Sequence, residues 1–329
     1  MACTRAGGRI TRVVTMTFDR STLRAYGALA LTMLFWAGNS ITGRAVRDDI
    51  GPFTLAFGRW FVALVLLTPF AVRGIVAQAL QIRSHWRVIV FLGVVGVAAF
   101  NGFLYWGLRF TTASNGLLLQ ALIPALVLLI GLGAFRDKVS SGQALGVLLS
   151  TLGVVVIVFR GDPRAVMNLS LGKGDALVLC GCVGWAIYTA CLRLRPSIQP
   201  LSFMYLTFCV GAVVMAPLAY GELGVRQVTW NGHVIAALAY VGIFPSLCAY
   251  FLYNGAVARL GAGSAGQTIS LMPVFGALLA TQLLGERLQG YHAVGIAAIV
   301  AGIVLTWLMQ RAGRTRQVGA RQDGDAWRN

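Results

Sequence analysis

The chain has 329 residues, 57% of them hydrophobic and only 11% charged, with a mean hydropathy of +0.76. Soluble domains carry about 25% charged residues, and here the apolar residues gather in runs of about 20, long enough to cross a bilayer core, so a water-soluble fold is excluded. The net charge of +17 would suggest nucleic acid in a soluble chain; in a membrane chain its distribution is topology signal plus attraction to anionic lipid, and no nucleic-acid partner is implied.

Residues 1–22 are Arg-rich but lack a compact apolar core and a cleavage site, so they read as a retained cytoplasmic tail. Ten spans follow, at about 23–46, 53–72, 86–108, 113–135, 141–160, 174–192, 199–219, 232–258, 262–284 and 290–309. Short polar links separate them, such as Asp48-Asp49-Ile50-Gly51-Pro52 and Arg160-Gly161-Asp162-Pro163. The stretch 310–329 is polar and Arg-rich and is expected to be a disordered cytoplasmic tail.

The spans repeat. Trp36, Arg44, Pro124, Gly146 and Gly153 recur 149 residues later as Trp185, Arg193, Pro273, Gly295 and Gly302, and Asp137-Lys138 is answered by Glu286-Arg287. At an offset of 148, Pro52 and Pro69 match Pro200 and Pro217, and Leu104-Tyr105-x-Gly107 matches Leu252-Tyr253-x-Gly255. Residues 23–160 and 174–309 are therefore duplicates of five spans each. An odd number of crossings turns the second half upside down. The expected fold is an all-α polytopic membrane protein, with ten transmembrane helices in two inverted five-helix repeats.

With the N-terminus inside, eighteen Lys and Arg residues fall in the inner links and tails against eight outside. Both termini are then cytoplasmic, and the expected location is the cell (inner) membrane.

No His-Glu-x-x-His, Gly-x-Ser-x-Gly or intramembrane carboxylate pair occurs, so no catalytic residue and no enzyme activity is assigned. Gly261-x-Gly263-x-x-Gly266 follows no strand and opens a membrane helix, which fits close packing or a hinge and not a dinucleotide. The six cysteines lie mostly in apolar spans, and Cys180-x-Cys182 lacks a second ligand pair, so neither a metal nor a cofactor is expected. Isolated His85, His233 and His292 sit at span ends and read as structural. All ten acidic residues fall in links or tails, which disfavours ion coupling through a buried acid. Arg59 is the one basic residue inside a span, and two uses stay open for it: a structural hydrogen bond or snorkelling, and a cavity-facing role.

Polar and aromatic groups cluster at helical spacing. Span 1 carries Trp36, Asn39, Ser40 and Gly43 on one face, and its duplicate carries Trp185, Tyr188 and Thr189. Asn101 and Tyr105 lie in span 3, Tyr250, Tyr253 and Asn254 in span 8, Asn115 and Gln120 in span 4, and Ser264, Gln267 and Ser270 in span 9. Such groups serve either as glue between helices or as the lining of a cavity. Pro124 and Pro273 each remove a mid-span donor and are read as paired bends and candidate gates. Spans 5 and 10, with Gly142-x-x-x-Gly146 and Ala298-x-x-x-Gly302, suit close packing at the periphery.

These residues resemble the drug/metabolite transporter superfamily, in particular its ten-helix EamA-type exporters. The most specific stretch is Pro273 followed by Leu283-Leu284-Gly285-Glu286-Arg287-Leu288 and by Gly295 and Gly302; in the first half the triplet has drifted to Arg136-Asp137-Lys138. Phe35-Trp36-Ala37-Gly38-Asn39 is similar to the family's opening helix. The resemblance covers about residues 23–309. It implies inverted repeats and a central cavity formed mainly by helices 1, 3, 4, 6, 8 and 9. Small four-helix multidrug members use a glutamate in their first helix, which is lacking here. Phosphate-carrying relatives need cavity Lys or Arg, and only Arg59 is available. The expected function is export of neutral or zwitterionic metabolites, chiefly amino acids including aromatic ones, by alternating access without ion coupling. Trp36, Tyr105, Trp185 and Tyr253 would supply rings, and Asn39, Asn101, Gln120 and Gln267 polar contacts, with Tyr188, Tyr250 and Asn254 beside them. A flippase for lipid or carrier lipid and a proton-coupled drug exporter are the alternatives. The oligomeric state is left open.

Overall fold

The computed structural model describes residues 20–162, 164, 172–284 and 289–326; the tail before Arg20 and the Glu286-Arg287 pair lie outside them. Among the described residues all regular structure is helical. In chain order the long helices are α1 (Arg20–Ala45), α2 (Pro52–Ala77), α3 (Trp86–Gly107), α4 (113–135), α5 (Ser141–Val158), α6 (Lys173–Leu194), α7 (Pro200–Val225), α8 (Gly232–Leu260), α9 (262–284) and α10 (Gly290–Ala326). A short helix, Ala79–Ser84, joins α2 to α3.

Nine helices among the described residues are long and apolar enough to cross a membrane. The tenth, α1, is as long as α2, at 26 residues. Its apolar run is diluted by Thr32, Asn39 and Ser40, all buried against other helices and away from lipid. Helix starts follow local chemistry. Pro52 and Pro200 occupy the first turns of α2 and α7, where a missing N–H is harmless. Ser140 and Gln143 form a reciprocal cap on α5, and Asn231 Oδ1 accepts from Val234 N at 2.9 Å on α8.

Four helices are not continuous, and their irregularities are duplicated. α3 contains a π-helical turn at Gly93–Ala99, and α8 contains one at Ile243–Cys248, an offset of 149–150 residues. α4 breaks at Ala121-Leu122, and Pro124 sits in the first turn of its second half. α9 passes through a 3₁₀ turn at Thr268–Leu271, and Pro273 is the second residue of the helix that follows. Each proline thus starts a half-helix, the position that tolerates a missing donor. One expectation is corrected. The stretch beyond Gln310 continues α10 as helix up to Ala326, for its Arg, Gln and Ala residues are good helix formers and contain no proline.

The repeats meet around a pseudo-twofold. α5 packs on its mate α10 and α2 on its mate α7, while α3 packs on α6 as α8 packs on α1. The match of Leu104-Tyr105-x-Gly107 to Leu252-Tyr253-x-Gly255 at 148 is corrected: burial along α3 and α8 repeats at 149, with Asn101, Leu104, Tyr105 and Leu108 answered by Tyr250, Tyr253, Asn254 and Val257. Among the described residues four pairs of mates touch directly. Trp36 and Trp185 have ring centroids 4.8 Å apart, as do Trp60 and Phe208. Asn101 Nδ2 donates to Tyr250 Oη at 3.4 Å, and Ser150 Oγ donates to Ile299 O at 3.4 Å. Residues related by a twofold touch only where the axis passes, so these pairs trace it. The α5–α10 crossing is symmetric to the same degree. A Cβ built on Gly153 would lie 2.6 Å from Gly295 O and one on Gly295 2.6 Å from Gly153 O, and at the symmetry-related point a Cβ on Gly146 would lie 2.6 Å from Gly302 O. Small residues bring two backbones together in lipid, where no hydrophobic effect drives helices to pair.

Replacing either glycine by alanine must therefore push the helices apart. We expect Gly153→Ala and Gly295→Ala each to cost about 1–3 kcal/mol, measured as a lower midpoint in thermal unfolding followed by size-exclusion in detergent. Gly133→Ala, built into open space, should leave the midpoint unchanged.

Candidate functional site

The space on the pseudo-twofold is filled by rings. Trp36 and Trp185 meet edge to face, and Tyr253 lies 5.0 Å from Trp36 and 5.4 Å from Trp185. Tyr250 stands edge-on to Trp185, Trp60 and Phe208 at 5.4–5.6 Å. Offset and perpendicular arrangements of this kind are the favourable ones for aromatic pairs.

The two π turns anchor this box. Such a turn takes a carbonyl out of the regular ladder and leaves it for another donor. Gly96 O accepts from Tyr250 Oη at 2.7 Å, and Pro245 O accepts from Trp36 Nε1 at 3.1 Å. Gly96 and Pro245 are mates at offset 149, so each repeat presents one freed carbonyl to a ring. Sequence reading did not find these turns; Pro245 was the one visible signal, and Gly96 carries none.

A polar cluster lies on either side of the box. On one side Tyr105 Oη donates to Asn39 Oδ1 at 2.6 Å. On the other Tyr188 Oη donates to Asn254 Oδ1 at 2.9 Å. These are the same pair with its members exchanged, because Asn39 corresponds to Tyr188 and Tyr105 to Asn254 at offset 149. Thr189 and Tyr253 hydroxyls share a hydrogen at 3.1 Å in the second cluster. The first cluster also holds Arg59, which is 1% exposed. Its Nε donates to Ser246 Oγ at 2.9 Å, and its Nη1 donates to Tyr105 Oη at 3.0 Å, to Asn39 Oδ1 at 3.4 Å and to Asn101 Oδ1. The guanidinium lies 4.4 Å from the centre of the Trp60 ring. Arg59 therefore does not snorkel; it is drawn into the bundle by residues of α1, α3 and α8. Ser246 was not among the sequence candidates.

Nine of the eleven substrate candidates thus come together: Trp36, Asn39, Asn101, Tyr105, Trp185, Tyr188, Tyr250, Tyr253 and Asn254. The hydrogen bonds of the other two go elsewhere. Gln120 Nε2 donates to Gly116 O of its own helix at 3.0 Å. Gln267 Nε2 donates to Gly302 O at 2.9 Å and to Ser150 Oγ at 3.4 Å, fastening α9 to the α5–α10 pair. Gly261, at φ 84°, makes the turn from α8 to α9, while Gly263 and Gly266 pack on α4.

The two ends of the bundle differ. At the end carrying Arg44, contacts close the path. Arg44 Nη1 donates to Leu108 O at 2.7 Å, and Glu222 Oε2 accepts from both Thr54 N and Thr54 Oγ1 at 2.8 Å. Arg226 Nη2 donates to the carbonyls of Arg47 and Asp48 at 2.7 and 2.6 Å. At the opposite end two adjoining cavities of about 260 and 270 Å³ share Arg193, Gly261 and Ala262. The second reaches Thr189 and Asn254, and Asn254 Nδ2 is a buried donor without a partner. The chain is thus open at one end down to the Tyr188–Asn254 cluster and shut at the other. Asp137 and Arg193 line the mouth, joined through two hydrogen bonds, one of 2.9 Å between Nη1 and Oδ1.

The Arg193 guanidinium hydrogen-bonds the Asp137 carboxyl and holds it below the usual carboxylate range. A depressed folded value means that the pair is intact above the ordinary aspartate value of about 3.9 and is lost only as pH falls through the lower folded value. Maleimide labelling of a Val257→Cys variant, corrected for thiol ionisation, should therefore not vary between pH 5.5 and 8. Adding Asp137→Asn should raise the labelling rate; a rate that follows pH across that window would show that another group controls the mouth.

The EamA-like transporter family model matches the chain twice, over residues 23–159 and 172–308. An uncharacterized transporter of Archaeoglobus fulgidus is 31% identical over 287 residues, covering 86% of this chain and 96% of its own length. A protein of Streptantibioticus cattleyicolor described as a "probable terminal-alkyne amino-acid exporter" is 26% identical, covering 86% and 93%. A solved crystal structure superposes with a TM-score of 0.68 at 20% identity, over 89% of this chain and 99% of that one, a likeness of fold.

Proposed function

The chain belongs to the EamA-like transporter family, and from that premise we propose that it exports small neutral or zwitterionic metabolites, foremost amino acids with apolar or aromatic side chains. The observation that carries this reading is the box of Trp36, Trp185, Tyr250 and Tyr253 with a neutral hydroxyl–amide pair on each side of it. Rings accept an apolar side chain, and amides and hydroxyls accept or donate to an ammonium or carboxylate without demanding net charge. The description carried by the relative from Streptantibioticus cattleyicolor points the same way.

The mechanism is alternating access. In inverted repeats the opposite state arises when the two halves exchange conformations. The cavity that now reaches Tyr188 and Asn254 would close, and the path to Asn39 and Tyr105 would open. The Lys and Arg excess supports a cytoplasmic open end, with Arg193 and Arg195, on the same side as both termini. A substrate would enter from the cytoplasm, meet the free Asn254 donor and leave past the Asn39–Tyr105 pair. The protein then sits in the cell membrane as a multi-pass carrier. The described acidic residues lie at helix ends or in links, with Asp175 accepting from Thr111 Oγ1 and Gly172 N, and Glu222 capping α2. This favours facilitated flux over flux driven by a proton at mid-membrane.

Proteoliposomes loaded with radiolabelled tryptophan, phenylalanine or methionine test the proposal. We expect mutually competing flux that needs no pH gradient. Flux seen only under a gradient overturns the uncoupled mechanism, and no flux of any amino acid overturns the substrate class. Trp185→Ala should reduce tryptophan flux about 10-fold, from the loss of several ring contacts, at unchanged membrane expression; Trp185→Phe should recover part of it.

A further inference from the structure

We infer that Arg59 is the anchor for the carboxylate of the transported solute, reached once the path opens at the Arg44 end. This inference rests on the proposed export of amino acids and names the charged group that the site takes.

Buried cations in membrane proteins pair with an acid or with backbone carbonyls, or mark a substrate pathway. Among the described residues Arg59 has neither an acid nor a backbone carbonyl as partner. The ion pairs among the described residues are Arg47–Asp48 and Arg193–Asp137, both at the ends of the bundle. Arg59 is instead held by neutral oxygens of Ser246, Asn39, Asn101 and Tyr105. Those bonds engage Nε and Nη1; the Nη2 edge takes no part in them. Neutral oxygens orient a guanidinium and solvate it without cancelling its charge, which leaves one net positive charge beside the aromatic box. A carboxylate offers two oxygens in a plane that matches the guanidinium fork.

The pseudo-symmetry isolates this function. Arg59 corresponds to Thr207 at the 148 offset of α2 and α7. The Thr207 hydroxyl donates back to Phe203 O and Met204 O within its own helix and offers nothing to the Tyr188–Asn254 cluster. The other side of the path has no cation at the matching position, so the charge of Arg59 is an addition to one side. The two clusters then differ in kind: a neutral one facing the present opening, and a cationic one beyond the rings. A zwitterion passing from the first to the second would turn its carboxylate toward Arg59 and leave its side chain among Trp36, Trp185 and Tyr250.

The test is binding to the purified full-length chain in nanodiscs, with phenylalanine, phenethylamine, 3-phenylpropionate and inorganic phosphate as probes. In the unmodified protein phenylalanine should bind about 10- to 100-fold more tightly than phenethylamine, as expected for one charge-assisted pair. Arg59→Gln should abolish that preference by weakening phenylalanine binding, while phenethylamine, whose ammonium is repelled by the guanidinium, should bind no more weakly than before, and Arg59→Lys should restore part of the preference. Asn101→Asp sets a carboxylate of the protein against Arg59; should Arg59→Gln not fold, this variant decides, with loss of phenylalanine binding and retention of phenethylamine binding expected. Equal binding of phenylalanine and phenethylamine by the unmodified protein overturns the inference, as does a preference that survives both substitutions. Displacement of phenylalanine by phosphate overturns the assignment to carboxylates. If 3-phenylpropionate binds through Arg59 while phenylalanine does not bind at all, the amino-acid reading falls and the carboxylate anchor stands.

Discussion

A guanidinium two turns inside an apolar helix has to be solvated by the protein itself, since placing it in hydrocarbon costs about 2.5–3.5 kcal/mol even on insertion scales. Arg59 meets that constraint with acceptors from three other helices: Asn39 of α1, Asn101 and Tyr105 of α3, and Ser246 of the π turn in α8. The cation therefore fixes the relative positions of α1, α2, α3 and α8. Neighbouring features depend on the same arrangement. The Asn101 amide reaches Tyr250 of the other repeat, and Tyr250 in turn meets the Gly96 carbonyl.

Around this point the two repeats are joined by contacts between equivalent residues. Trp36 on Trp185, Trp60 on Phe208, Asn101 on Tyr250 and Ser150 on Ile299 hold the centre, while Gly153 and Gly295 hold the α5–α10 crossing. An interface built this way is self-complementary, so exchanging the conformations of the halves preserves its chemistry. Only the ends are free to differ, and they do. Hydrogen bonds of Arg44, Glu222 and Arg226 shut one end, and cavities open the other down to Thr189 and Asn254. Broken α4 and α9, each with a proline starting its second half, supply irregular backbone on both sides of the bundle.

The family model and the Archaeoglobus fulgidus relative make the chain a transporter. What lies beyond them is chemistry: the rings, the exchanged Asn–Tyr pairs and the lone cation. The exchange itself is informative. A hydroxyl donating to an amide oxygen can be built with either residue on either helix, so drift after duplication kept the hydrogen bond while swapping its members.

Much of this was legible in the sequence, because bilayer physics and duplication both leave regular marks. Apolar runs of span length, prolines and glycines at a constant offset, and an odd number of spans per half were enough for ten helices in inverted repeats. Helical spacing also singled out most of the central residues, since a polar side chain in an apolar span must face other helices. Three things were decided only by tertiary structure. Gln120 and Gln267 share the composition of site residues, but Gln120 bonds a backbone carbonyl of its own helix and Gln267 bonds Gly302 O and Ser150 Oγ of the α5–α10 pair. The π turns have no residue pattern of their own, for they are set by where a carbonyl finds an outside donor. Arg59 stood between a structural hydrogen bond and a cavity role until its partners were known. Spacing along a chain records which face of a helix a side chain occupies, whereas what that side chain meets is determined by the helices packed against it.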